Sequence, residues 1–214
     1  MTNRIITLNI DSPSVQYLCK KDLRIAKVIN MVGPITYELH EDSYRFLVNT
    51  IIGQMLSNKV SDIISARLET LCNGCISADV INQLSDEQLK SIGISNSKIS
   101  YIRVLTTTIE SGEIDFKSLN ELSDAEVIKK LTAIRGIGVW TANMYLIFVL
   151  NRQDILPTND AAFLQAYEWL YKTTDRSEKT VEIKCKKWKP YSSIAARYLY
   201  RALDSGLTKI EFNL

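Results

Sequence analysis

The sequence predicts an all-α fold arranged as two helical lobes. Apolar residues recur every three or four positions in segment after segment, and two capping boxes each open a helix that runs into glycine. With only eight Gly and four Pro in 214 residues, the chain also reads as an ordered globular protein. The coarse reading sums to roughly nine to eleven helices and almost no sheet.

Taken in order, residues 5–10 alternate loosely, as a short strand or an extended arm would. Residues 22–31 place Leu23, Ala26 and Ile29 at helical spacing and stop at Gly33-Pro34. A helix over 43–50 runs into Gly53-Gln54-Met55-Leu56, and Ser57 opens another in which Val60, Ile64, Leu68 and Leu71 share a face. Ser85 with Gln88, and Ser123 with Glu126, are capping boxes: hydroxyl and later side chain each satisfy an amide at the helix start. These two helices meet Gly93 and Gly136. Helices follow over 99–110, over the very apolar 139–150, over 161–171 and over 192–205, where Gly206 is a natural stop.

Composition bounds the function classes. With 46% apolar residues, the chain can bury a sizeable core. Its 26 basic residues against 24 acidic ones, a net +2, permit a nucleic-acid partner without demanding one. Cys19, Cys72, Cys75 and Cys185 are too scattered for a disulfide framework; Cys72 and Cys75 lack a second pair, and His40 is the only histidine, so these read as ordinary thiols. Residues 1–10 hold no signal-like apolar run, and 144–150 falls far short of the about 20 residues needed to span a bilayer. A soluble intracellular protein without membrane attachment is expected, cytoplasmic in a prokaryote and nuclear in a eukaryote.

The most informative segment is Arg135-Gly136-Ile137-Gly138, a turn joining two helices with glycines two apart. Such glycines admit backbone conformations that side chains forbid and let another molecule's backbone approach the amides of the next helix. A dinucleotide site fits poorly, because its glycine turn follows a strand and carries a third glycine. Alone, Gly-x-Gly serves equally well as a connection between packed helices.

With its flanks, the segment resembles the helix-hairpin-helix DNA glycosylase superfamily, and within it the alkylated-base group of 3-methyladenine glycosylases. The matching pieces are Gly53-Gln54-Met55-Leu56-Ser57, Gly93-Ile94-Ser95 with Lys98, the hairpin continuing as Trp140-Thr141-Ala142-Asn143, Leu156-Pro157-Thr158-Asn159-Asp160, and Trp188-Lys189-Pro190-Tyr191-Ser192-Ser193. The similarity extends from about Asp22 to Asp204. The resemblance implies two helical lobes with an interlobe active-site cleft. Residues 1–21 would form an arm or remnant strand, 22–42 with 151–214 a terminal lobe, and 43–150 a central lobe holding the helix-hairpin-helix at 124–150.

It also implies roles. Asp160 is the expected catalytic carboxylate, although Asn159-Asp160 before a helix reads equally as an N-cap. Met55 is the implied DNA wedge, Leu56 the neighbouring alternative and Gln54 a support or pocket residue; both wedge candidates also suit a core. Trp140, Met144, Trp188 and Tyr191 are candidate pocket residues, and a Trp140 face would favour a cationic methylated purine. Arg135, Gly136, Ile137, Gly138, Thr141, Lys98 and Lys189 are the implied DNA contacts, the last in a basic run with Lys184, Lys186 and Lys187 that reads equally as a solvated face. The carbonyls of Thr132, Ile134 and Ile137 would hold a monovalent cation, Na or K, with no cofactor required for chemistry.

Three departures refine the expectation. Trp140 stands where glycosylase-lyases carry lysine, so a Schiff-base nucleophile is missing at that place. Only Cys185 lies where some relatives hold a four-cysteine iron–sulfur loop, so no cluster is expected. Arg135 replaces a proline found in many relatives, which leaves the glycines intact but does not make the turn rigid as a proline would. The expected activity is monofunctional excision of alkylated purines such as 3-methyladenine from double-stranded DNA, by a monomer, through flipping of the damaged nucleotide. The alternatives are a glycosylase for oxidised or mismatched bases and a noncatalytic DNA-damage-binding protein.

Overall fold

The computed structural model describes residues 4–214; residues 1–3 of the expected arm lie outside the described residues. The chain divides into two compact units, one running through Leu39 and resuming over Asn151–Leu214, the other His40–Leu150.

The first unit opens with β1 (Ile5–Leu8), α1 (Pro13–Lys21), α2 (Leu23–Val32) and β2 (Ile35–Glu38). The two strands pair antiparallel with Ile5 opposite Glu38 and Leu8 opposite Ile35. Proline at the first position of α1 presets its φ at no hydrogen-bond cost.

The second unit holds α3 (Ser43–Gly53), α4 (Asn58–Leu71), α5 (Ala78–Gln83), α6 (Asp86–Ser91), α7 (Asn96–Glu110), α8 (Asp124–Thr132) and α9 (Val139–Phe148). The first unit resumes with α10 (Ala161–Tyr171), α11 (Glu178–Cys185) and α12 (Ser192–Asp204). Twelve α-helices are thus present among the described residues, against nine to eleven expected; α1, α5 and α11 are additions to the sequence reading.

Both capping boxes form as expected: Ser85 and Ser123 each accept from the amide three residues on, and Gln88 and Glu126 return the contact. In the second unit α3 packs on α4, α7 and α9, and α9 is buried from Thr141 through Ile147, so it cannot face water on any side. In the first unit α12 packs on α2 and α10 around Trp188, Tyr167, Tyr198 and Phe163, all fully buried. Each such aliphatic or aromatic side chain removed from water contributes about 1.5–3 kcal/mol.

One buried charge joins the pieces of the first unit. The Oδ1 of Asp22 caps α2 by accepting from the Arg24 amide at 2.9 Å. Its Oδ2 accepts from Tyr171 Oη at 2.6 Å, Trp188 Nε1 at 2.9 Å and Lys187 Nζ at 3.1 Å. Burial alone would raise its pKa, but these hydrogen bonds outweigh burial and hold the carboxyl below the ordinary carboxylate value. All four cysteines are free thiols. Among the described residues no helix is long and apolar enough to cross a membrane.

Candidate functional site

In the second unit, α8 ends near Ala133 and the chain turns through Arg135-Gly136-Ile137-Gly138 into α9. Gly136 takes φ +97°, a value that L side chains rarely adopt. Tyr101 of α7 lies directly beneath, so that a Cβ on Gly136 would stand 2.3 Å from its Cγ. The Arg135 guanidinium sits 6.0 Å from the same ring's centroid. From the other side Gln54 Nε2 donates to the Gly136 carbonyl at 2.9 Å. The turn is therefore held by a ring below and an amide beside it.

Gly138 is different. Its φ of −96° suits any residue, and nothing lies within 4 Å of the Cβ it lacks. As N-cap of α9 it carries no capping side chain, so the first turn of that helix begins with no side chain over its amides. Thr141, expected among the DNA contacts, is only 1% exposed, so what it offers to that role is its main-chain amide in the first turn of α9. Ile134 and Ile137 are buried as well, so this stretch offers its main chain rather than its side chains. The Ile134 carbonyl accepts from the Ile137 amide at 3.0 Å. Trp140 is half-buried and Met144 buried on α9.

Between α3 and α4 lies a four-residue turn closed by Leu56 N donating to Gly53 O at 3.1 Å. Met55 occupies its third position with φ +59°, a left-handed conformation unusual for a side chain of this size. That side chain is 102% exposed, and Leu56 beside it is exposed too. Neither is a core residue. Lys98, expected on phosphate, instead donates from Nζ to the Ile52 carbonyl at 2.8 Å, where the last turn of α3 leaves acceptors open. Burial lowers its pKa.

In the first unit Asp160 is N-cap of α10, its Oδ1 accepting from the Phe163 amide at 2.7 Å, and the residue is 7% exposed. Capping engages one of its two carboxylate oxygens directly. α12 brings Tyr200 beside the same carboxylate; burial first, then the charge of Asp160, hold that phenol well above its ordinary pKa. Trp188 is 0% exposed, with its indole N–H on Asp22, which corrects its reading as a pocket wall: it is a core residue. Tyr191 is half-buried, edge-on to Tyr17 at 5.3 Å. The basic run is largely engaged: Lys187 pairs with Asp22, Lys184 lies 5.4 Å from the centroid of the Tyr171 ring, and Lys189 stands 3.9 Å from Asp154. Tyr101 and Tyr200 carried no signal in the sequence, since each acts through a contact with a distant segment.

The family model for the HhH-GPD superfamily base excision DNA repair protein matches residues 48–190. The chain is 29% identical over 182 residues to DNA-3-methyladenine glycosylase 1 of Schizosaccharomyces pombe, covering 83% of this chain and 80% of that protein. Among solved structures it is similar to a DNA-3-methyladenine glycosidase from Bacillus halodurans, with TM-score 0.83, 34% identity and 96% of each chain covered. It is also similar to the S. pombe 3-methyladenine DNA glycosylase in complex with abasic DNA, with TM-score 0.82 and 26% identity, over 95% of this chain and 100% of that one.

Proposed function

Because the chain belongs to the HhH-GPD superfamily of base excision DNA repair proteins, we propose that it is a monofunctional DNA glycosylase that excises alkylated purines such as 3-methyladenine. The substrate is double-stranded DNA containing the damaged base, and the protein acts as a monomer. The observation that carries the reading is Asp160: a nearly buried carboxylate fixed at a helix start through one oxygen.

Cleaving an N-glycosidic bond leaves positive charge on the sugar as the base departs. A carboxylate already held in place stabilises that charge without reorganising at the moment of reaction. Water completes the hydrolysis, giving free base and an abasic site. A cationic methylated purine is a good leaving group and attracts the π face of Trp140. Met55 fills the gap left by the extruded nucleotide, and the hairpin amides after Gly138 receive a backbone phosphate. Trp140 in the lysine position leaves no amine there for Schiff-base strand cleavage. The neutral carbonyl oxygens of Thr132, Ile134 and Ile137 suit a monovalent cation better than a transition metal, and such an ion would add positive charge toward the phosphate.

The competing reading, a noncatalytic DNA-binding protein, is favoured only by the Phe163 contact, in which Asp160 serves as a cap. Duplexes containing 3-methyladenine, 7-methylguanine, hypoxanthine, 8-oxoguanine or uracil separate the cases when released base and strand breakage are scored independently. Release of the methylated purines without breakage is expected. Binding without release from any substrate would refute the enzyme reading, and breakage without heat or alkali would refute its monofunctional form.

A further inference from the structure

We propose that Gln54 and Lys98 are positioning residues that lock the Met55 turn to the hairpin at Gly136, making wedge and backbone grip one mechanical piece. This inference rests on the reading of Met55 as the wedge.

A fully exposed side chain has no packing to aim it, so the direction of Met55 is set by its backbone alone. That backbone sits at φ +59°, from which an L residue tends to relax to negative φ. Three contacts oppose the relaxation. The turn closes on itself through Leu56 N and Gly53 O, Gln54 holds the Gly136 carbonyl at 2.9 Å, and Lys98 holds the Ile52 carbonyl at 2.8 Å.

The Lys98 contact places an ammonium at the negative end of α3, immediately before the turn. The Gln54 contact spans 82 residues of sequence and reaches Gly136, beneath which Tyr101 also lies. A wedge that pushes into stacked bases works against a recoil. Tied to Gly136, it recoils against the element that grips the phosphates rather than against its own loop. Neither Gln54 nor Lys98 needs to touch the damaged base or a phosphate for this.

A double-mutant cycle tests the proposal, with base extrusion read from 2-aminopurine placed beside an abasic site and excision read in parallel. Gln54→Ala and Met55→Gly should each lower extrusion about tenfold, and the double variant should fall no further than Met55→Gly alone, because Gln54 acts through Met55. Affinity for undamaged duplex should stay within about twofold, since the hairpin amides remain. Additive losses in the double variant would overturn the proposal by showing that Gln54 touches the substrate itself.

For Lys98→Met, extrusion should fall while the salt dependence of duplex binding is unchanged; a slope reduced by about one would make Lys98 a phosphate contact and overturn its part. Should Gln54→Ala lower the melting temperature sharply, Gln54→Glu, which keeps the volume and removes the donor, takes its place in the same cycle. Wild-type protein that releases no base would count against the glycosylase reading, whereas the fluorescence cycle still decides the coupling.

Discussion

Gly136 stands over Tyr101 so closely that a single methyl group would lie 2.3 Å from the ring carbon Cγ, whereas Gly138, two residues on, has nothing within 4 Å. Folding therefore demands a glycine at 136, whereas nothing within the fold demands one at 138, where the proposed phosphate contact would. Gly136→Ala is expected to cost roughly 2–5 kcal/mol, combining a left-handed backbone with overpacking. Gly138→Ala should change stability by less than about 0.5 kcal/mol. It should nevertheless weaken duplex binding about tenfold, because the methyl group stands where a phosphate approaches. Thermal melts beside duplex titrations check both; equal stability losses at the two positions would contradict the division.

Asp160 combines a cap with the proposed charge stabilisation, and substitution separates them. Asparagine keeps an oxygen for the Phe163 amide, so the cap survives, and Asp160→Asn should lose less stability than Asp160→Ala even though the Tyr200 phenol then faces a weaker acceptor. Its excision rate should fall by at least about a hundredfold, the scale of losing one preorganised electrostatic contact. Asp160→Ala should lose the activity and also about 1 kcal/mol of stability. Full excision by Asp160→Asn would remove Asp160 from the chemistry.

In the proposed wedge role, Met55 is a position where function opposes stability. Glycine at an ordinary exposed site destabilises, but here φ +59° suits it and the lost side chain packs on nothing. Met55→Gly should leave stability unchanged or raise it by up to about 1 kcal/mol, while base extrusion falls. Met55→Leu, which keeps apolar bulk, should retain extrusion. Denaturant midpoints and excision rates measured on the same preparations decide it.

The parts legible in the sequence are those whose physics is local. Ser85 with Gln88 and Ser123 with Glu126 announce their helices because the partners lie three residues apart, and the all-round apolar α9 announces its burial. α1 and α11 were missed because each is short, with only a few buried positions to mark a face. The strand β2 was hidden because its partner lies beyond two helices. Trp188 was misread because an aromatic residue near a lysine run looks the same whether it lines a pocket or fills a core; its Asp22 partner is 166 residues away. The contact of Lys98 with the Ile52 carbonyl was likewise hidden, since a charge near a glycine turn gives no sign that a helix end 46 residues earlier will accept from it.

That Asp22 cluster makes stability of the first unit depend on acid. Hydrogen bonds from Tyr171, Trp188 and Lys187 depress its folded-state pKa, so its contribution is complete above the unfolded value of about 3.9 and is lost as pH falls through the lower folded value. Asp22→Asn would point an amide N–H₂ or a weaker acceptor at three donors, one of them charged, and should cost about 3 kcal/mol near neutral pH. Below the unfolded value that contribution begins to shrink, and it is gone only once pH has fallen through the depressed folded value, so the gap between the two proteins should narrow from about pH 4 downward. Urea unfolding of both at pH 7 and pH 3 measures this directly. A gap of the same size at both values would show that shape rather than charge holds the cluster together.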